Sequence, residues 1–105
     1  MNYLIDIDGT VSEDIPNEES HRFANAYVID GAVEWVNGLY DQGHYITFFT
    51  ARESKDRQVT LDWLNAKGFK YHNLLMDKPR GGNYIWVDNH KVTGVLFTGT
   101  YGDLT

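Results

Sequence analysis

Three apolar runs along the chain share one pattern: each is short, nearly unbroken by polar residues, and followed by a group that can do chemistry. Tyr3-Leu4-Ile5 leads to Asp6, Tyr45-Ile46-Thr47-Phe48-Phe49 to Thr50, and Tyr84-Ile85-Trp86-Val87 to Asp88. Near-continuous runs of this kind suit parallel strands covered by helices on both faces, rather than a half-exposed sheet with strict alternation. Between the first two runs, Ala32, Val33, Trp35, Val36, Leu39 and Tyr40 recur at helical spacing, with Asp30 as N-cap and Gly43 as the stop. A second helix starts near Ser54, gathers Val59, Leu61, Trp63 and Leu64 on and beside one face, and ends at Gly68.

Leu74-Leu75-Met76 reads as a shorter strand, ended by the proline and two glycines of Asp77-Lys78-Pro79-Arg80-Gly81-Gly82. Residues 92–97 predict a last short strand, interrupted by Gly94. The alternation of strands and helices predicts an α/β fold. We expect one three-layer α/β/α Rossmann-like domain over residues 1–105, with an open, mostly parallel sheet and ligands at the carboxyl ends of its strands. Residues 11–28 follow neither period and read as a flap or loop. Trp35, Tyr40, Trp63 and Trp86 read as core packing.

Composition narrows this picture. A chain of 105 residues has room for one core but not for an independent lid or cap domain. The absence of cysteine removes disulfides, thiolate catalysis and cysteine zinc sites together. The chain starts without a secretory pattern and has no apolar run of membrane-spanning length, so a cytoplasmic protein without a membrane partner is expected. A formal charge of −6 argues against broad, salt-driven nucleic-acid binding. The abundance of aromatics is compatible with a homo-oligomer.

Alternating strand side chains let Asp6 and Asp8 share one direction while Ile5 and Ile7 share the other. Two carboxylates that close repel, which favours a cation between them or a proton on one. Taken singly, Asp8-Gly9 is a common turn, Thr50 a loop hydroxyl and Asp88-Asn89 another turn. Together, Asp6, Asp8, Thr50 and Asp88 at strand ends, with Lys78 on the adjoining loop, supply what hydrolysis of a phosphate monoester needs. That set is a carboxylate nucleophile, a second carboxyl for proton transfer, a hydroxyl and an ammonium for phosphoryl oxygens, and an oxygen-rich magnesium site. Arg52 and Arg80 could hold a second anionic group or a sugar hydroxyl, and Arg52 could equally pair with Glu53 or Asp56 and shape its loop. His21, His44, His72 and His90 have no metal-ligand spacing.

Asp-Ile-Asp-Gly-Thr-Val at 6–11, Thr-Ala-Arg at 50–52, Lys78-Pro79 and Val-Asp-Asn at 87–89 resemble, in order, the four motifs of the haloacid dehalogenase superfamily. Residues 39–52 are especially similar to its small capless phosphatases, a group often linked to capsule or surface-sugar biosynthesis. The resemblance implies that Asp6 attacks phosphorus to form an aspartyl-phosphate, and that Asp8 protonates the leaving oxygen and later activates water. It implies that Thr50 and Lys78 bind the phosphoryl group, with the backbone N–H groups of Gly9 and Ala51 as further donors. It also implies Mg2+ held by the Asp6 carboxylate, the Asp8 backbone carbonyl and Asp88. One departure is Asn89, where many relatives carry a second acid. The expected substrate is a small phosphorylated metabolite, a sugar phosphate foremost. The alternatives are a nucleotide or polynucleotide end, or an inactive phosphate- or partner-binding module.

Overall fold

A computed structural model of the protein describes residues 1–104. Strands β1 (Asn2–Ile5), β2 (Tyr45–Phe49) and β3 (Asn73–Leu75) form a three-stranded parallel sheet in the order β1-β2-β3. Leu4 pairs with Thr47 and Ile5 with Phe48, while Phe48 pairs with Leu74 on the other side. The crossovers are helices α1 (Ala32–Asp41) and α2 (Arg57–Ala66), the second preceded by a 3-10 turn at Ser54–Asp56.

Both helices stop where glycine permits it. After α1, Gly43 at φ 92° lets its own N–H reach the Tyr40 carbonyl and that of His44 reach Leu39. Gly68 at φ 84° repeats the arrangement after α2, and the next residue, Phe69, turns inward. The start of α1 differs from expectation. Gly31, left-handed at φ 85°, occupies the cap position in place of Asp30, and no side chain caps the helix.

Right-handed crossovers that step in one direction place both helices against one face of the sheet. Ile5, Ile46, Phe48 and Leu74 point to that face and are buried. Tyr3 meets Trp35 of α1 at 6.2 Å between ring centroids, and Phe48 meets Phe69 at 5.5 Å. The other face carries Leu4, 39% exposed, and Leu75, 42% exposed. Residues 11–28 lend several side chains to the core while most of the segment stays at the surface. Val11, Ile15, Phe23 and Ala26 are buried, a 3-10 helix spans Asn17–Asn25, and the Trp63 indole donates to the Ala26 carbonyl at 2.9 Å.

The strands expected at 84–87 and 92–97 do not form. Ile85 is 90% and Val87 91% exposed, and Trp86, expected in the core, lies out in solvent. A strand needs a neighbour as well as a pattern. The connection at residues 76–83 is shorter than the dozen or so residues of a parallel crossover, and it contains no helix. Beyond this arm the chain returns to the core, where Phe97 packs on Tyr101 and Tyr101 on Trp35.

Candidate active site

Beyond the end of β1 the chain buries Ile5 and Ile7 and turns Asp6 and Asp8 into a cleft of about 450 Å³. The cleft is further lined by Asp14 to Asn17, Ala51, Lys78, Arg80 and Tyr84. This confirms the direction that strand alternation gives the two acids. A left-handed Gly9 at φ 80° makes the turn, and a Cβ there would lie 3.4 Å from the Asp14 carboxyl carbon.

Asp6 is 38% exposed and each of its oxygens has a donor. Lys78 Nζ lies 2.8 Å from Oδ1, and the Thr10 hydroxyl donates to Oδ2 at 3.1 Å. Lys78 is brought there by backbone bonds that tie the segment after β2 to the segment after β3. The Thr50 N–H donates to Leu75, the Lys78 N–H to Thr50 and the Asp77 N–H to Arg52, each at 2.9 Å.

Asp8 has a different partner. The fully buried Arg52 donates from Nε to Oδ2 and from Nη2 to Oδ1, both at 2.9 Å, a two-pronged clamp on one carboxylate. Its third nitrogen, Nη1, donates to the Thr60 hydroxyl at 3.2 Å, and the Phe23 ring covers the guanidinium at 3.8 Å. Neither of the two roles open to Arg52 is what the structure shows. Its guanidinium faces inward to Asp8, not outward to a ligand, and it pairs with neither Glu53 nor Asp56.

Several expected site residues are placed differently. Thr50 is fully buried, with its hydroxyl accepting the Arg52 N–H at 3.1 Å. The Gly9 N–H is taken by the Ser12 carbonyl at 2.9 Å and is not aimed at a ligand. Ala51 and Arg80 do line the cleft, Arg80 beside Glu18 at 3.4 Å. Asp88 is not brought to the pair. It sits on the exposed arm, where the Trp86 indole and the His90 N–H hold its carboxyl below the usual carboxylate range.

Asp88 bears directly on the implied Mg2+. Among the described residues no group of three or more histidines, cysteines or acids could hold a metal. Asp88 is engaged elsewhere and one Asp6 oxygen is occupied by Lys78. The three implied ligands therefore do not fit the ion within one chain as folded.

Sequence reasoning missed Thr10, Asp14, Asn17, Tyr84 and Tyr101. Thr10, four residues from Asp6 in the same motif, was the most legible of these. Tyr101 arrives from the far end of the chain, and its hydroxyl donates to the Thr10 carbonyl. Burial, reinforced by the negative charge of Asp6, pushes its phenol up to about 12 from 10.0. Between those values the folded chain binds a proton that the unfolded chain has lost. Stability present in full below pH 10 is thus lost as pH rises towards about 12. Tyr101→Phe is expected to cost about 1 kcal/mol at neutral pH, for the lost hydrogen bond. It should also flatten the alkaline fall of the melting temperature; an unchanged alkaline limb would count against the assignment.

Residues 3–93 match the family model described as "PITM 1-3, LNS2 domain". No curated protein sequence gives a significant match. Among solved structures, a structural-genomics target from Vibrio cholerae is 19% identical, with a TM-score of 0.63 over 87% of this chain and 81% of that one. A chain of the Pnkp1/Rnl/Hen1 RNA repair complex is 24% identical, with a TM-score of 0.62 over 71% of this chain and 25% of its own length. A chain in a further Pnkp1/Rnl/Hen1 structure is 25% identical, with a TM-score of 0.63 over 84% of this chain and 31% of its own length. The present chain thus spans less than a third of the RNA-repair chains it matches. The architecture is a small Rossmann-like α/β domain of haloacid dehalogenase type, with no cap among the described residues.

Proposed function

The chain belongs to the family of the PITM 1-3 LNS2 domain, and on that premise we propose that it is a phosphatase whose nucleophile is Asp6. The observation that carries this reading is the different treatment of the two acids. Asp6 is open to the cleft and charge-compensated by Lys78 at 2.8 Å, while Asp8 is clamped from behind by Arg52. One carboxylate is set to react and the other is held in a fixed orientation.

In the first step an Asp6 oxygen forms a bond to phosphorus as the bond to the leaving oxygen breaks, and Asp8 gives that oxygen its proton. In the second, water attacks phosphorus, Asp8 takes the water proton and the bond to Asp6 breaks. Each Asp8 oxygen keeps a lone pair beyond the one facing Arg52, so the clamp leaves room for that proton. Lys78 neutralises Asp6 so that an anionic substrate can approach, and its ammonium is placed to serve phosphoryl oxygens. Arg80, on the rim beside Tyr84, is the group for a second substrate feature. Magnesium, implied by the family resemblance, has no complete ligand set in one chain, and no step is routed through it.

An uncapped cleft of about 450 Å³ suits a small phosphate monoester, with a sugar phosphate as the first class to test. The shared fold with chains of an RNA repair complex favours one second reading, a phosphorylated nucleic-acid end. The net charge of −6 and the acidic Asp14 on the cleft wall oppose it. Phosphate release should be screened over sugar phosphates, nucleotides, a 3′-phosphorylated oligonucleotide and an aryl phosphate, with magnesium and with chelator. We expect release from a small monoester, lowered about 10²-fold or more in Lys78→Ala, as for loss of a charged donor to the transition state. No release from any of these would remove the phosphatase reading.

A further inference from the structure

The arm at residues 84–96 and the outer edge of β1 are two unpartnered features of one chain. The arm keeps a strand's composition without a strand's pairing: Ile85, Val87 and Leu96 are each more than four-fifths exposed. β1 lies at the edge of the sheet, and among the described residues no strand pairs with its outer side. Leu4, on its open face, is 39% exposed. Unpaired edges and exposed apolar segments of this kind mark places where another chain adds a strand.

The arm cannot fill its own edge in the parallel sense of the sheet. Tyr84 lines the cleft, at the carboxyl end of the strands, with its hydroxyl bonded to the Pro79 carbonyl and its ring beneath Lys78. A strand starting there runs away from its own active site, antiparallel to its own β1. It runs parallel to the β1 of a second copy related by a two-fold axis. The two segments also match in length: residues 84–87 lead to Asp88 as Asn2–Ile5 leads to Asp6. Pairing them end for end sets Ile85 and Val87 with Tyr3 and Ile5 on the helix-covered face, and Trp86 beside the exposed Leu4.

We propose that two copies of this chain exchange these arms, each adding residues 84–87 as a parallel strand on its partner's β1 and delivering its Asp88 next to the partner's Asp6. The two three-stranded sheets and the two exchanged arms then make one continuous sheet, with the arms antiparallel to each other across the axis. The exchange accounts for the carboxylate missing from the cleft: Asp88 belongs to the site of the other copy. This last consequence rests on the phosphatase reading; the exchange itself does not.

The chain has no cysteine, so a designed pair reports without background. Leu4→Cys/Trp86→Cys should form, on mild oxidation, a dimer linked between copies, and the unmodified protein should sediment as a dimer at micromolar concentration. A monomer with the disulfide inside one chain, or no dimer and no cross-link, overturns the proposal. If the phosphatase screen gives activity, mixing Asp6→Asn with Asp88→Asn should restore about a quarter of the wild-type rate. The mixed dimer then contains one site with both acids intact. A cross-linked dimer whose mixture stays inactive, although each single variant has lost activity, contradicts the shared site while leaving the exchange standing. A phosphatase screen without turnover leaves the cross-link as the deciding result.

Discussion

Asp6→Asn is expected to lower phosphate release by at least about 10³-fold, the scale of losing a nucleophile that splits one difficult step into two. The variant should stay folded. Asparagine keeps an oxygen for the Thr10 hydroxyl, and the lost partner of Lys78 is a part-exposed charge that water can replace. Steady-state rates on the best substrate of the screen, beside a thermal melt, separate loss of chemistry from loss of fold. Turnover at the wild-type rate would remove Asp6 from the mechanism, and the differing surroundings of the two acids would then need another explanation.

The second large effect belongs to Arg52. Arg52→Ala deletes a fully buried guanidinium, leaves the Asp8 carboxylate without its clamp and opens space beneath Phe23. A loss of about 3–5 kcal/mol is expected, as for breaking a buried ion pair by removing one partner. Arg52→Lys is the more telling variant, since it keeps the charge but not the fork that meets both Asp8 oxygens. It should fold and show kcat lowered about 10- to 100-fold with KM nearly unchanged, because in the proposed mechanism the residue orients Asp8 as the acid/base group from behind the cleft. A change confined to KM would instead place Arg52 on the substrate, one of the two roles its sequence left open.

The contrast between these residues shows what the sequence carries. Asp6, Asp8 and Lys78 were legible because each follows or adjoins an apolar run, and the alternation of buried Ile5 and Ile7 carries past the end of β1 to turn the acids the other way. β1, β2 and β3 and both helices were legible for the same reason: their periods are local, and Gly43 and Gly68 mark where each helix must stop. Arg52 was not legible, because its partner lies 44 residues earlier in the chain and its cover, Phe23, in a segment with no period at all. The Gly9 N–H looked available only because its acceptor, the Ser12 carbonyl, depends on how the turn closes. The arm was misread in the opposite sense. Residues 84–87 have every local mark of a buried strand, but burial is a property of the neighbour, and among the described residues none pairs with them.

In the proposed mechanism the phosphoryl group is transferred to the Asp6 carboxylate before it reaches water. Asp8→Asn should accept the phosphoryl group and release it slowly, since asparagine cannot take the proton of the attacking water. Incubating that variant with an aryl phosphate, quenching in acid and mapping peptides by mass spectrometry tests the claim directly. One added phosphoryl group is expected on the amino-terminal peptide, localised to Asp6 and absent from Asp6→Asn. Release of phosphate by the wild type with no labelled peptide from the Asp8→Asn variant, or a label on any other residue, would contradict it.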